Sequence, residues 1–403
     1  MKNIGITYNE NSGTVLPGYL PSIGFFGTTK PGMFVLGSQD GDVRDELARQ
    51  GYLTTYDQFN QNFTQNRRTI LGLTARIDLF PDFTIDLRAD RTYERNHSEQ
   101  YNVVTNANGE LDYMAQSPYS FGNFVISTIM IKTAFSPSEV DMSEAFNQMR
   151  ENRLVIANRL AEAHYGTSNF DRYVATPGTT PEAIFANANI GYPVGFGRNS
   201  QQVLLPAFLA AYSGTDAGKV STSPFRDMPL PNWVVKYTGL MRYKFFKDRF
   251  KRFSLQHSYV STYNINSYRS NFEYDQNLNA QDNNGIGNFQ SRYIISNINL
   301  NEQFNPLIRV DFEMKNSIKI LAEIKKDRTL NMSFDNNLLT EVKGNEYILG
   351  VGYRIKDVTI NTTLADNPQN VIKSDINIKA DFSWRKNETI IRYLDYENNQ
   401  LGG

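Results

Sequence analysis

The sequence predicts an all-β chain whose antiparallel strands belong to a transmembrane β-barrel, with one helical and irregular insert. Three observations carry this expectation. Apolar and polar side chains alternate with a period of two through many segments, aromatics are abundant while mean hydropathy is low, and short turns alternate with longer polar connections. Hydrophobic residues make up 40% of the 403 and aromatics 13%, with 23 Tyr and 26 Phe. A soluble core is built mainly from Leu, Val, Ile and Ala, whereas a membrane barrel sets Tyr and Phe at both interfaces and turns every second side chain to water. A mean hydropathy of −0.48 fits such a barrel and excludes a helical membrane protein. The longest nearly apolar run, 203–212, contains Pro206 and is too short to span a bilayer as a helix.

Residues 1–67 read as a strand, begun by Ile4-Gly5-Ile6-Thr7-Tyr8, followed by a Gly- and Pro-rich irregular segment over 13–32. Residues 68–135 carry barrel strands. Leu71, Leu73, Ala75, Ile77 and Leu79 interleave with Gly72, Thr74, Arg76 and Asp78; after Pro81, Phe83, Ile85, Leu87 and Ala89 oppose Thr84, Asp86, Arg88 and Asp90. Residues 136–232 form the insert. Ser136-Pro137-Ser138-Glu139 has the spacing of a capping box. It predicts a helix with Met142, Phe146, Met149, Ile156, Leu160 and Ala163 on one face and a stop at Gly166. Beyond it, Gly, Pro, Asn and Ser surround the apolar run 203–212. Such backbone cannot lie in lipid, so the insert is expected to cap, plug or line the barrel.

Residues 233–403 return to strands in up-and-down hairpins. Ile318, Ile320, Ala322 and Ile324 alternate with Lys319, Glu323 and Lys325. Tyr347, Leu349, Val351, Tyr353 and Ile355 alternate with Gly350, Gly352 and Arg354, and Ile376, Ile378, Ala380, Phe382 and Trp384 with Asp375, Asn377, Lys379, Asp381 and Ser383. Tight connections are expected at Phe80-Pro81-Asp82, Lys247-Asp248-Arg249-Phe250, Lys315-Asn316-Ser317, Lys356-Asp357 and Arg385-Lys386-Asn387. Longer ones are expected at 271–288, 335–345 and 366–371, giving about a dozen strands. The alternation assigns Leu71, Leu73, Ile77, Leu79, Ile85, Leu87, Ile376, Ile378, Phe382 and Trp384 to lipid. It assigns Arg76, Asp78, Asp86, Arg88, Lys319, Glu323, Lys379 and Asp381 to a water-filled lumen.

With 41 basic and 42 acidic residues the formal charge is −1, so nothing supports phosphate-backbone binding or a nucleic-acid partner. Cysteine is absent, and the only histidines, His97, His164 and His257, stand in unrelated contexts. No metalloprotease helix, phosphate-binding glycine loop or nucleophile elbow appears, so no enzyme, metal site or cofactor is expected. Asp40, Asp42 and Asp45, like Asp282-Asn283-Asn284-Gly285, read as solvated loops rather than calcium sites. His257, on the strand of Phe253, Leu255, Tyr259 and Tyr263, reads as an interface histidine. Met1-Lys2-Asn3 opens no signal peptide, so for an outer-membrane protein that segment would lie outside the chain.

Several strings are more specific: Gly13-Thr14-Val15-Leu16-Pro17-Gly18-Tyr19-Leu20-Pro21-Ser22-Ile23-Gly24 with Phe25-Phe26-Gly27; Asn60-Gln61-Asn62-Phe63-Thr64; the run from Asp78-Leu79-Phe80-Pro81-Asp82 to Asp90-Arg91; Leu204-Leu205-Pro206-Ala207-Phe208-Leu209-Ala210-Ala211-Tyr212; and Pro229-Leu230-Pro231-Asn232-Trp233. Spread over the first 235 residues, they resemble the SprA (Sov) family, outer-membrane translocons of the type IX secretion system. The later strands fit in register and turn placement.

The resemblance implies the C-terminal portion of a very large single-chain barrel that lets folded proteins cross the outer membrane. It implies a PorV-type barrel protein at a lateral opening, a periplasmic plug protein, secreted cargo with a C-terminal signal, and surrounding outer-membrane lipid. Family chains are several times longer, and Gln400-Leu401-Gly402-Gly403 lacks the aromatic end of a closing strand. The chain is therefore expected to be an excerpt with unpaired edges. A small-solute porin or transporter plugged by the insert, and a soluble β-rich surface adhesin, are the rival readings.

Overall fold

The computed structural model describes residues 3–22, 43–274, 287–361, 371–395 and 400–402. They build one antiparallel sheet of twelve strands. These are β1 (Asn3–Val15), β2 (Asn62–Phe80), β3 (Phe83–Thr105), β4 (Leu111–Ser127), β5 (Asn232–Tyr237), β6 (Phe250–Ser270), β7 (Tyr293–Ile295), β8 (Asn297–Met314), β9 (Ile318–Ser333), β10 (Leu338–Asn361), β11 (Val371–Tyr393) and β12 (Gln400–Gly402). β3, β10 and β11 run for 23, 24 and 23 residues, far beyond the usual soluble strand of about five or six. The order across the sheet is β1-β2-β3-β4-β6-β8-β9-β10-β11-β12, with β5 between β3 and β6 and β7 beside β6.

Two of the expected tight turns are present. Asp82 (φ 67°) and Ser317 (φ 68°) take the left-handed conformation that short polar side chains tolerate at such corners. The other three are corrected. Lys247, Asp248 and Arg249 end a short helix, α5 (Lys244–Arg249), inside a 238–249 connection, because Phe246 folds back onto Phe250 and Phe253 at ring distances of 5.8 and 5.0 Å. Lys356-Asp357 is a bulge within β10, with Asp357 at φ 56°. Arg385-Lys386-Asn387 stays in β11, opposite Glu346, Asn345 and Gly344, and the Arg385 guanidinium reaches past β10 to Asp327 at 2.8 Å. Of the expected loop at 335–345, only the corner ending in Asn337 (φ 51°) is a turn, and strand resumes at Leu338. The loop expected at 366–371 falls outside the described residues except for Val371, as do Gly24 to Gly27, Asp40, Asp42 and the 282–285 cluster.

β4 and β5 are one wall strand cut in two. β4 pairs with β3 down to Ile126 opposite Arg91, and β5 takes up the same side of β3 at Asn232 opposite Arg88, running in the same direction. On the far side both pair with β6. Everything from 128 to 231 is an excursion from the middle of this strand. The cut ladder is repaired by side chains: Ser127 Oγ accepts from the Asp90 amide at 3.0 Å and Asn232 Oδ1 from the Ser261 amide at 2.8 Å. The strands before the insert therefore end at Ser127, nine residues before the expected boundary at 136, and β2 begins at Asn62 rather than 68.

The excursion holds α2 (Glu144–Tyr165), α3 (Pro181–Ala188) and α4 (Gln201–Ser213). The helix expected from Ser136 starts later, capped by Ser143, whose Oγ accepts from the Phe146 amide at 3.3 Å. Residues 138–143 form a tight reversal, with an antiparallel bridge between Ser138 and Ser143 and the Glu139 amide on the Met142 carbonyl, and the carbonyls of Ser138, Glu139 and Val140 are captured by Lys343 and Arg392. Met142 and Ala163 are exposed, and the buried face is Phe146, Met149, Ile156, Ala157 and Ala161. Gly166 ends α2 in the left-handed conformation, as expected. The apolar run 203–212 is α4 itself, with Pro206 inside it and every residue buried. α2 and α4 pack together on Phe124, Ile126, Tyr263, Ile265, Leu300, Leu330 and Met332 of the wall. A smaller element, α1 (Val43–Arg49), covers Phe63, Tyr101 and Val103 at the upper ends of β2 and β3.

Candidate functional site

Register, not sequence, decides which rows share a face, because directly paired residues point the same way. Leu73 pairs with Ala89 and Ile6, Ile77 with Ile85, and Leu87 with Trp233. The row passes through Tyr237, Leu255, Val310, Ala322 and Leu349 to Phe382. One apolar face thus holds Leu71, Leu73, Ile77, Ile85, Leu87, Ile376, Ile378, Phe382 and Trp384, all assigned together from sequence. Leu79 occupies a bulge, and Phe80 takes its place beside Phe83 at 4.6 Å. The row is bare: Phe382 is 68% and Trp384 53% exposed.

Aromatic rings edge this face. Phe80, Phe83, Tyr237, Phe253 and Phe312 form its lower border, with Phe253 and Phe312 stacked at 5.6 Å, and Tyr347 stacks on Trp384 at 5.6 Å above. Between Tyr347 and Ile355 the strand rises about 26 Å. Both tryptophans of the chain, Trp233 and Trp384, stand here. His257 shares the face and places Nδ1 2.6 Å from the Leu307 carbonyl.

The opposite face is ionic. Arg76, Asp78, Asp86, Arg88, Lys319, Glu323, Lys379 and Asp381 all fall on it. The structure adds Arg252, Arg309, Asp311, Asp327 and Glu346, which the sequence alternation did not assign to it. A chain of ion pairs runs from β6 to β11: Arg252–Asp311 at 2.7 Å, Arg309–Asp311 and Arg309–Glu323 at 3.5 Å, Lys325–Glu323 at 3.7 Å, Lys325–Glu346 at 3.6 Å, Arg385–Glu346 at 3.7 Å and Arg385–Asp327 at 2.8 Å. Arg76–Asp86 at 3.9 Å, Arg88–Asp90 at 2.7 Å and Lys379–Asp381 at 2.7 Å continue it at the flanks. Glycines make room: a Cβ on Gly350 would stand 2.6 Å from Asp381 Oδ1. Glu323-Ile324-Lys325-Lys326-Asp327 alone carries the signal that could have extended the row.

The excursion packs on the apolar-row face, above the bare rows. β10 alternates without a register shift from Leu339, under the insert, to Tyr353 in the bare row. The insert is therefore neither shown over the ionic face nor packed against it. Its polar anchor is a buried set of charges: Arg392 pairs with Glu341 at 3.6 Å and Arg328 with Glu302 at 2.8 Å. Arg328 donates to the Thr133 carbonyl at 2.9 Å, and Arg392 to the Glu139 carbonyl at 2.7 Å. Tyr212 of α4 lies among them; burial and the Glu341 carboxylate raise its pKa, while Arg392 and Arg328 oppose the rise.

A second polar knot was illegible in the sequence. Ser120 Oγ lies 2.9 Å from His97 Nδ1, and His97 Nε2 lies 3.0 Å from Glu99, which also takes the Tyr113 hydroxyl at 2.7 Å and Arg44. The order is that of a hydrolase relay, but Ser120 is only 4% exposed and its amide is spent on Ser270 Oγ at 2.8 Å. That leaves no approach for an acyl carbon and no oxyanion donor at that residue. The knot clamps α1 to the wall. His164 instead packs on Phe289 with ring centres 4.3 Å apart, and no metal-binding cluster occurs among the described residues. No protein-family model matches this chain, and no curated protein matches it in sequence.

Proposed function

We propose that the chain is a section of the wall of an outer-membrane, protein-conducting barrel, serving passage of folded cargo proteins as in type IX secretion. The observation that carries this reading is the division of the sheet. One face is apolar, ring-edged and bare; the other is a paired ionic lattice that the insert leaves clear. Bare apolar rows suit hydrocarbon. A mixed-sign lattice binds water, offers a folded protein neither grease nor a net charge, and so resists adhesion of cargo.

Among the described residues, β1 pairs only with β2, and along most of its length β11 pairs only with β10. These edges would take further barrel strands or border the lateral opening where a PorV-type partner sits. The periplasmic plug protein and cargo with a C-terminal signal are the other expected partners. The small-solute porin reading relied on the insert as a plug, and the insert packs on the wrong face for that. The adhesin reading leaves the bare rows without a partner.

The test is export. In cells making the protein, the combined variant Arg252→Gln, Arg309→Gln and Arg385→Gln should lower release of folded cargo while protein level and membrane fractionation stay unchanged. Undiminished release would remove the functional half of the proposal and spare the fold.

A further inference from the structure

A whole-chain charge of −1 hides a local excess. Residues 242–252, Arg242-Tyr243-Lys244-Phe245-Phe246-Lys247-Asp248-Arg249-Phe250-Lys251-Arg252, hold six cations and a single acid. The segment contains α5 and lies at the lower border of the apolar face. Phe246 packs on Phe250 and Phe253, and Phe250 meets Phe312 at 5.1 Å. Tyr243 and Phe245 remain exposed at 62% and 58%. Arg242 is taken by Asp82 at 2.6 Å, and Lys251 and Arg252 by Glu313 and Asp311 of the ionic face. Lys244, Lys247 and Arg249 have no acidic partner among the described residues, and Arg249 lies 4.0 Å above the Phe245 ring. The Lys315 amide donates to the Arg249 carbonyl at 3.0 Å, so the β8–β9 turn brings a fourth unpaired cation alongside.

We infer that Lys244, Lys247, Arg249 and Lys315 form a binding site for anionic phospholipid headgroups at the lower rim, with Tyr243 and Phe245 set among the adjoining acyl chains. The inference rests on the membrane reading above. Cations with bare aromatic rings at the edge of an apolar band are what an interfacial anchor needs. Charge complementarity selects the phosphodiester headgroup, and continuity with the band sets its depth.

The chain is reconstituted into vesicles of phosphatidylcholine and phosphatidylglycerol at three to one, extracted gently, and its co-purifying lipids are weighed by mass spectrometry. Phosphatidylglycerol should be enriched several-fold over its bulk share, and the variant Lys244→Gln, Lys247→Gln, Arg249→Gln, Lys315→Gln should return to the bulk ratio with an unchanged β-sheet circular dichroism spectrum. A wild-type chain that retains the two lipids at their bulk ratio, or a variant that keeps the enrichment, overturns the site while leaving the barrel intact. Displacement by millimolar inorganic phosphate overturns it in favour of a free-anion site. A chain that enters no vesicle at all, phosphatidylcholine alone included, brings down the membrane reading itself.

Discussion

Arg392 shows what a single residue does in this wall. It is 1% exposed, pairs with the wholly buried Glu341 and holds three groups of the turn that begins at Ser138. Arg392→Met strands the Glu341 charge and should destabilise the chain by about 3–5 kcal/mol in chemical unfolding in detergent. Removing both partners together, with Glu341→Leu added, should cost less than the single change. Asn232 is the counterpart at the cut strand. Asn232→Ala orphans the buried Ser261 amide and should cost about 1–3 kcal/mol by the same measurement, whereas Asn232→Asp keeps the acceptor and should cost less. Neither role was visible in sequence. The alternation of Lys319 or Asp381 with apolar neighbours is local and could be read, but Arg392 looks like any other polar position of a strand until the insert is seen to lie over it.

At the scale of elements, long alternating runs were legible and their ends were not. The strands around the turn at Asp82 were legible because period, proline and turn residue agreed, although the bulge at Leu79 was not. Arg385-Lys386-Asn387 and Lys356-Asp357 misled because a cluster of polar residues marks a turn only when no neighbouring strand offers it partners, and here Asp327 and Glu346 take Arg385 while Asp375 takes the Asp357 amide. The capping-box spacing at Ser136 failed for a related reason: Lys343 and Arg392 take the Ser138 and Glu139 carbonyls that a helix begun at Ser136 would need for its own amides. Ser143→Ala should therefore remove about 1 kcal/mol of helix stability, read by hydrogen exchange of the first turn of α2, while Ser136→Ala should leave that turn unchanged. Equal protection loss in both would restore the earlier start.

For the whole molecule, the decisive feature is that a register spanning the sheet gathers the apolar rows of β2, β3, β9, β10 and β11 on one side and their charges on the other. Sequence supplied the alternation within each strand. It could not supply the side on which the insert packs, because Ser127 and Asn232 are 105 residues apart in number and adjacent to one wall strand in space. The insert lies above the bare rows and not over the ionic face. The most direct test of the division is fluorescence of the Trp233→Phe variant, whose remaining indole is Trp384, in vesicles carrying brominated acyl chains. Deep quenching by bromine together with poor access for acrylamide is the predicted result. Emission untouched by brominated lipid and freely quenched by acrylamide would contradict it.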